Sequence, residues 1–431
     1  MSDDAISMAS ARTIDARVRL PILAAATVVT GVGAGLGGMS LALLLHAVQH
    51  LAYGYSLGSL IGPESFLDGV QAASPLRRVA VLEVCGAVAG IGWWAVHRFG
   101  RPLVSVRKAV AAGDPRMPGF VTVAHVLLQI ITVGLGSPLG RETAPREIGA
   151  LVGGWIAHTA RLTAEEARTI LACGAGAGLA AVYNVPLGGA LFVMEVLLRS
   201  FAAPVAIPAL ATSVIAAMVA WIGLGDQLQY TVPHLGISPS LIVWSMLMGP
   251  AFGCAAWSFT RLTSSAVKRA PLDRWMIVWC LAVFSGIGLL STRFPALLGN
   301  GKGALQLGLD GDVGLDLAIT LLGLKIIATT ASLRAGAAGG LMTPSLSIGA
   351  LLAIVLGAGW NLFGPPVPTS AFAMVGAAAF LSASMRMPLT AMVLVFELTG
   401  ADQDFLVPVL LAVSGALAAS WLCEKTCSSA T

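Results

Sequence analysis

Apolar residues dominate this chain from about Leu20 to Leu422, in runs separated by short polar gaps. The runs fall near 21–50, 79–98, 118–136, 148–160, 167–183, 186–203, 205–224, 240–260, 275–291, 315–333, 345–362, 370–384, 387–399 and 404–422. They lack the polar–apolar alternation of a barrel strand, so the pattern predicts helices. Several are shorter than the roughly 20 residues that cross a hydrocarbon core of about 30 Å. Gly and Pro interrupt them, which predicts tilted helices and helices that stop inside the membrane. Such breaks survive only when buried in protein or lining a wet cavity, and they commonly mark a substrate site. The fold class is therefore all-α, a polytopic membrane protein. The longest polar gaps, near 50–78 and 225–240, are loop-sized, so no soluble domain is visible.

Composition supports the same conclusion. The 431 residues are 57% hydrophobic and 11% charged, against about 25% charged in soluble domains. Mean hydropathy is +0.85. A soluble enzyme, a nucleic-acid binder and a disordered chain are excluded. Arg12, Arg17 and Arg19 precede the first run, so residues 1–20 are expected to be a cytoplasmic N-terminal segment without a cleavable signal. Cys85, Cys173, Cys254 and Cys280 lie in apolar stretches and read as small buried hydrophobes. Cys423 and Cys427 are four apart without a third ligand nearby, and the six His are dispersed, so no metal site is expected. The chain has no phosphate loop, no dinucleotide fingerprint and no serine elbow, which argues against an enzyme and against a cofactor.

An internal repeat organises the chain. Residues 173–196 align without a gap with 375–398, pairing Gly174 with Gly376, Pro186 with Pro388 and Glu195 with Glu397. Upstream, 140–151 aligns with 340–351. The chain is thus a duplication of halves of about 200 residues. We place the first membrane repeat at 21–225 and the second at 226–422, with 423–431 as a short tail and no regulatory domain. Transporters built this way hold their substrate where the repeats meet.

The first break, Gly134 to Glu147, is Gly- and Pro-rich and precedes a helix. A helix N-terminus presents free N–H groups and attracts anions. Glu142 in that break could occupy the anion position itself and, once protonated, swing away. The plainer alternative is a surface pair, Glu142–Arg141 or Glu147–Arg146. The second break, Gly339-Gly340-Leu341-Met342-Thr343-Pro344, is uncharged. Its N–H groups and the Thr343 hydroxyl could bind an anion weakly enough for release; Thr343 could equally be the N-cap before Pro344. Glu195 and Glu397, at matching repeat positions, read as structural. Asn184 and Arg386 should cap or tie helix ends. Glu83 and His125, each inside an apolar run, are buried-group candidates, more simply satisfied core residues than a proton relay.

At these residues the sequence resembles the CLC family of anion channels and anion/proton antiporters, from about residue 80 to 422. Gly140-Arg141-Glu142 resembles its G-[KR]-E-G-P motif, with Glu142 at the external gating glutamate. Gly340-Leu341-Met342-Thr343-Pro344 resembles G-x-F-x-P. Ala177 to Leu187 resembles A-G-L-A-A-x-[FY]-N-[AV]-P-L, with Arg386 to Thr399 as its second-half counterpart. The resemblance implies a homodimer with one pore per subunit, two inverted repeats, and an anion bound at helix N-termini. The anion site would comprise Gly140, Arg141, Gly340, Leu341, Met342 and Thr343, with Glu142 gating and carrying the proton. Departures shape the expectation. The family's G-S-G-I-P motif is here Gly100-Arg101-Pro102-Leu103-Val104, without serine, and Arg101 is expected at a vestibule. The second central hydroxyl, a tyrosine in the family, falls near Ser429, and the internal proton-transfer glutamate falls at Val196. Loss of both hydroxyls with Glu142 kept resembles the bacterial fluoride/proton antiporter branch. The resemblance therefore implies a multi-pass transporter in the inner membrane, with fluoride/proton exchange favoured over chloride/proton exchange. Val196 is the feature that favours a passive chloride channel.

Overall fold

Helices form where the apolar runs lie and stop where Gly, Pro and small polar residues interrupt them. The computed structural model describes residues 3–55, 65–112, 116–233 and 236–428, with side chains from 19 to 427. The first half comprises α1 (Asp3–Tyr53), α2 (Phe66–Ala72), α3 (Pro75–Phe99), α4 (Val106–Ala111), α5 (Gly119–Gly134), α6 (Thr143–Thr159), α7 (Ala164–Tyr183), α8 (Pro186–Leu191) and α9 (Ala203–Leu224). A π-turn, Phe192–Leu197, extends α8. The second half comprises α10 (Pro239–Lys268), α11 (Trp275–Ser291), α12 (Lys302–Asp310), α13 (Leu315–Ala335), α14 (Met342–Trp360), α15 (Thr369–Met385), α16 (Pro388–Thr399) and α17 (Leu406–Ser428). Among the described residues 7 helices are long and apolar enough to cross a membrane. The chain is a multi-pass membrane protein whose shorter helices stop inside the fold. The predicted segment 1–20 continues α1 as helix from Asp3, and α17 runs through the predicted tail as far as Ser428. Ser429 lies outside the described residues.

The aligned sequence blocks form equivalent helices, α6 to α8 in the first half and α14 to α16 in the second. α7 and α15 form the centre, with nearly every residue buried. Each is sealed by a neighbour at backbone distance. A Cβ on Gly174 would strike the Gly149 carbonyl of α6, and one on Gly376 would press on the Gly349 carbonyl of α14. Small residues at such crossings let helices approach where lipid gives no hydrophobic drive to associate. Asn184 and Arg386 end α7 and α15 in the left-handed conformation, at φ 55 and 54. Both are caps, as expected, and each precedes the Pro-initiated helix of its own half.

Glu195 and Glu397 cross between the halves. Glu195 accepts from the Leu389 N–H at 3.0 Å and the Thr390 N–H at 2.7 Å, at the start of α16. Glu397 accepts from the Leu187 N–H at 2.9 Å and the Gly188 N–H at 2.6 Å, at the start of α8. Each repeat thus caps a helix of the other. This is the structural role expected of them, and it satisfies N–H groups that lipid cannot.

Two expectations change. Glu83 is exposed on α3, beside Val84, because the packed face of that helix is Leu82, Cys85, Gly86 and Ala89. Cys254 of α10 is exposed and not buried like Cys85, Cys173 and Cys280, and Cys423 approaches it, Sγ to Sγ 3.7 Å. Among the described residues no group of three His, Cys, Asp or Glu could hold a metal.

Glu195→Ala and Glu397→Ala should each destabilise the purified protein, by about 1–3 kcal/mol per orphaned amide. Thermal or denaturant unfolding in detergent checks this. The two variants should lose similar amounts, because they break equivalent caps.

Candidate functional site

The two breaks meet. Gly140 and Gly340 form an antiparallel bridge: the Gly140 N–H donates to the Gly340 carbonyl at 2.7 Å, and the Gly340 N–H returns to Gly140 at 2.8 Å. This pair sits between the N-termini of α6 and α14 and is the junction of the repeats. The Glu142 carboxylate lies directly on both glycines, and a methyl group on either would overlap it. Glycine is required here because the acid needs that space.

Glu142 occupies the N-cap position of α6 but makes no side-chain cap to its own helix. Its Oε1 instead accepts from the Met342 N–H, the first of α14, at 2.5 Å. The residue is fully buried, and among the described residues its Oε2 has no hydrogen-bond partner. Thus the carboxylate takes the orphan donor at a helix N-terminus, where an anion would sit. The surface pairs considered above do not occur. Arg146 donates from Nε to the Glu142 carbonyl at 2.9 Å and from Nη2 to the Thr143 hydroxyl at 3.0 Å, over the Phe192 ring.

Thr343 is not the N-cap of α14. The helix begins at Met342, with Leu341 before it and no side-chain cap. That frees the Thr343 hydroxyl to meet the Tyr183 hydroxyl at 3.4 Å. Both side chains are buried, so two hydroxyls converge beside the Met342 N–H. Arg141 lies over the Tyr183 ring at 5.0 Å, and its Nη2 donates to Gln229 Oε1 at 3.4 Å. Lys302 donates to the same Gln229 oxygen at 3.5 Å. Two cations converge on one neutral amide, which makes this flank of the site electropositive. Leu341 contributes backbone at the turn, where its carbonyl accepts from the Ser345 N–H at 2.9 Å. The structure therefore gathers Gly140, Arg141, Glu142, Gly340, Leu341, Met342 and Thr343. Arg101 stands apart, exposed on the segment between α3 and α4.

Sequence reasoning missed Tyr183 and Lys325. Tyr183 directly precedes Asn184 in the repeated block, and its hydroxyl was the available signal. Lys325 is the lone basic residue in the run 315–333 and is fully buried. Its Nζ donates to the Leu297 carbonyl at 2.8 Å and the Gly299 carbonyl at 2.7 Å. The Gly299 N–H in turn donates to the Gly136 carbonyl at 2.9 Å, which ties down the first break. Tyr53 supports the same break from α1, its hydroxyl donating to the Leu135 carbonyl at 2.9 Å.

Comparison with known proteins gives the family and the fold. Residues 85–421 match the family described as voltage gated chloride channel. The chain is 31% identical over 356 residues to the H(+)/Cl(-) exchange transporter ClcA of Klebsiella pneumoniae subsp. pneumoniae, covering 78% of this chain and 75% of that protein. Among solved structures it matches a slow cyanobacterial Cl-/H+ antiporter with a TM-score of 0.79 at 20% identity, over 93% of this chain and 94% of that one. It also matches a CLC-type fluoride/proton antiporter with a TM-score of 0.66 at 19% identity, over 93% and 95%. These likenesses extend to the whole inverted-repeat architecture.

Gly340→Ala should push the Glu142 carboxylate off the Met342 N–H and lower turnover at least about tenfold, a barrier change of about 1.4 kcal/mol. Gly323→Ala is the control, because a Cβ there meets nothing within 4 Å. Anion flux from reconstituted vesicles reads both.

Proposed function

Because the chain belongs to the voltage gated chloride channel family, we propose that it exchanges a halide for protons across a bacterial inner membrane. One observation carries the reading: the Glu142 carboxylate holds the Met342 N–H at the junction of the repeats. A halide needs that same donor. While Glu142 is ionised it competes for the donor as a tethered anion. Once protonated, it loses its charge and its claim on the site, and a halide replaces it beside the Thr343 and Tyr183 hydroxyls. Return of the carboxylate expels the halide and releases the proton, so the two movements are linked by mutual exclusion. The Arg141–Lys302 flank raises the local anion concentration without holding the ion. Gly140 and Gly340 keep the space that lets the acid enter and leave. The assembly is a homodimer in which each subunit keeps its own route, working without a cofactor.

Chloride is the first cargo on this reading, supported by the identity shared with a protein named as an H(+)/Cl(-) exchange transporter. Fluoride is the second, favoured by the absence of serine from Gly100 to Val104 and by Thr343 at the second break.

Vesicles loaded with chloride or fluoride, with anion efflux and proton uptake recorded together, test the proposal. Coupled movement is expected in the wild type, faster with chloride. Glu142→Gln should leave anion movement without proton movement. Anion flux without protons in the wild type would identify a passive conductor instead, and a faster coupled fluoride flux would reassign the cargo.

A further inference from the structure

A second buried acid lies on the same helix as Glu142 and away from the anion site. Glu147 follows five residues later, about 7.5 Å along the axis of α6. It is 8% exposed and sits among Gln129 and His125 of α5, with Trp93 of α3 behind them. Its Oε2 accepts from Gln129 Nε2 at 3.1 Å and lies 3.8 Å from His125 Nε2.

Two features separate this acid from the structural ones. Glu195 is held by two backbone N–H groups and the Thr390 hydroxyl, all within 3.0 Å. Glu147 has one neutral amide donor and a more distant ring. Moreover, Gln129 is fully buried, and among the described residues its Oε1 has no hydrogen-bond partner. An amide with one end on a carboxylate and the other unused can serve both protonation states. Its N–H donates to the ionised acid. Turned about its terminal bond, its oxygen accepts from the protonated acid.

His125 is not the titrating partner. An indole N–H can only donate, and Trp93 Nε1 donates to His125 Nδ1 at 2.9 Å. Nδ1 is therefore the lone-pair nitrogen, and the ring proton sits on Nε2, facing Glu147. A second proton on the ring would have to displace the Trp93 contact. The remaining groups around Glu147 are committed or remote. Arg146 is engaged with the Glu142 carbonyl, Thr143 and Phe192. His46 of α1 turns to the Ala42 carbonyl, and α7 offers only Cys173 and Tyr183 within its buried stretch. On α3, Cys85 faces the Thr132 carbonyl and His97 is exposed; on α4, Arg107 and Lys108 are exposed.

We propose that Glu147, held between Gln129 and His125, is a second proton-binding group of the exchange cycle, separate from the anion path. The inference rests on the exchange reading above. Val196, on the turn after α8, is apolar, so Glu147 supplies its acid from a different element, α6. The proton binds a Glu147 carboxyl oxygen, Gln129 turns to accept from it, and both moves reverse on release.

The test uses the full chain in vesicles, with chloride efflux and proton uptake measured together for wild type, Glu142→Gln, Glu147→Gln and Gln129→Leu. Glu147→Gln should keep chloride efflux and lose at least about tenfold in proton uptake; Glu147→Asp should restore part of it. Gln129→Leu keeps the carboxyl but removes the acceptor for its protonated form, so proton uptake should fall there too. That variant carries the test should Glu147→Gln not assemble. A coupled wild type with Glu147→Gln or Gln129→Leu equally coupled overturns this inference alone. An uncoupled wild type overturns the exchange reading first, and this one with it.

Discussion

A helix that begins inside a membrane leaves N–H groups that lipid cannot satisfy. In this protein the acceptors come from the opposite repeat. The Glu195 carboxylate closes the start of α16, and Glu397 closes the start of α8. Gly140 and Gly340 satisfy each other. At α14 the acceptor is Glu142, which gives one oxygen to Met342 and, among the described residues, leaves the other without a partner. The same constraint therefore builds the scaffold and places Glu142 at the junction of the repeats.

The contrast among the acids is quantitative. Glu195 receives three donors and Glu397 two, in contacts of 3.0 Å or less. Charge-assisted bonds of that kind are about twice as strong as neutral ones, so those acids are held in place. Glu142 and Glu147 receive one donor each. Charge in a membrane interior is costly and is kept where it is paired or used. By that measure the first pair are struts, and the second pair are the acids held least firmly.

The repeat, the two breaks, the role of Glu195 and Glu397 and the convergence on Glu142 were all legible in the sequence. They rest on Gly, Pro and acidic residues recurring in register, and such residues stand out in an apolar background. Facing was not legible. In water a polar stripe betrays the outer side of a helix. In lipid both sides are apolar, so Glu83 looked as buried as His125, and only the packing of α3 separates them. Thr343 misled because Thr before Pro is a strong cap signal, whereas the helix starts one residue earlier and the hydroxyl goes to Tyr183. The Glu147 cluster joins α3, α5 and α6, and no spacing within one segment foretells a contact among three.

The buried Lys325 shows how the fold accommodates a polar group inside a membrane span. Its partners are two carbonyls on the segment before α12, and among the described residues no carboxylate is bonded to it. A lysine near the middle of a membrane helix costs about 2.5–3.5 kcal/mol on insertion scales. In the folded protein the turn at Pro295–Leu297 and the residues after it offset that cost, because they bring the Leu297 and Gly299 carbonyls onto Lys325. The span that ties down the first break thus depends on its own preceding loop for its place in lipid.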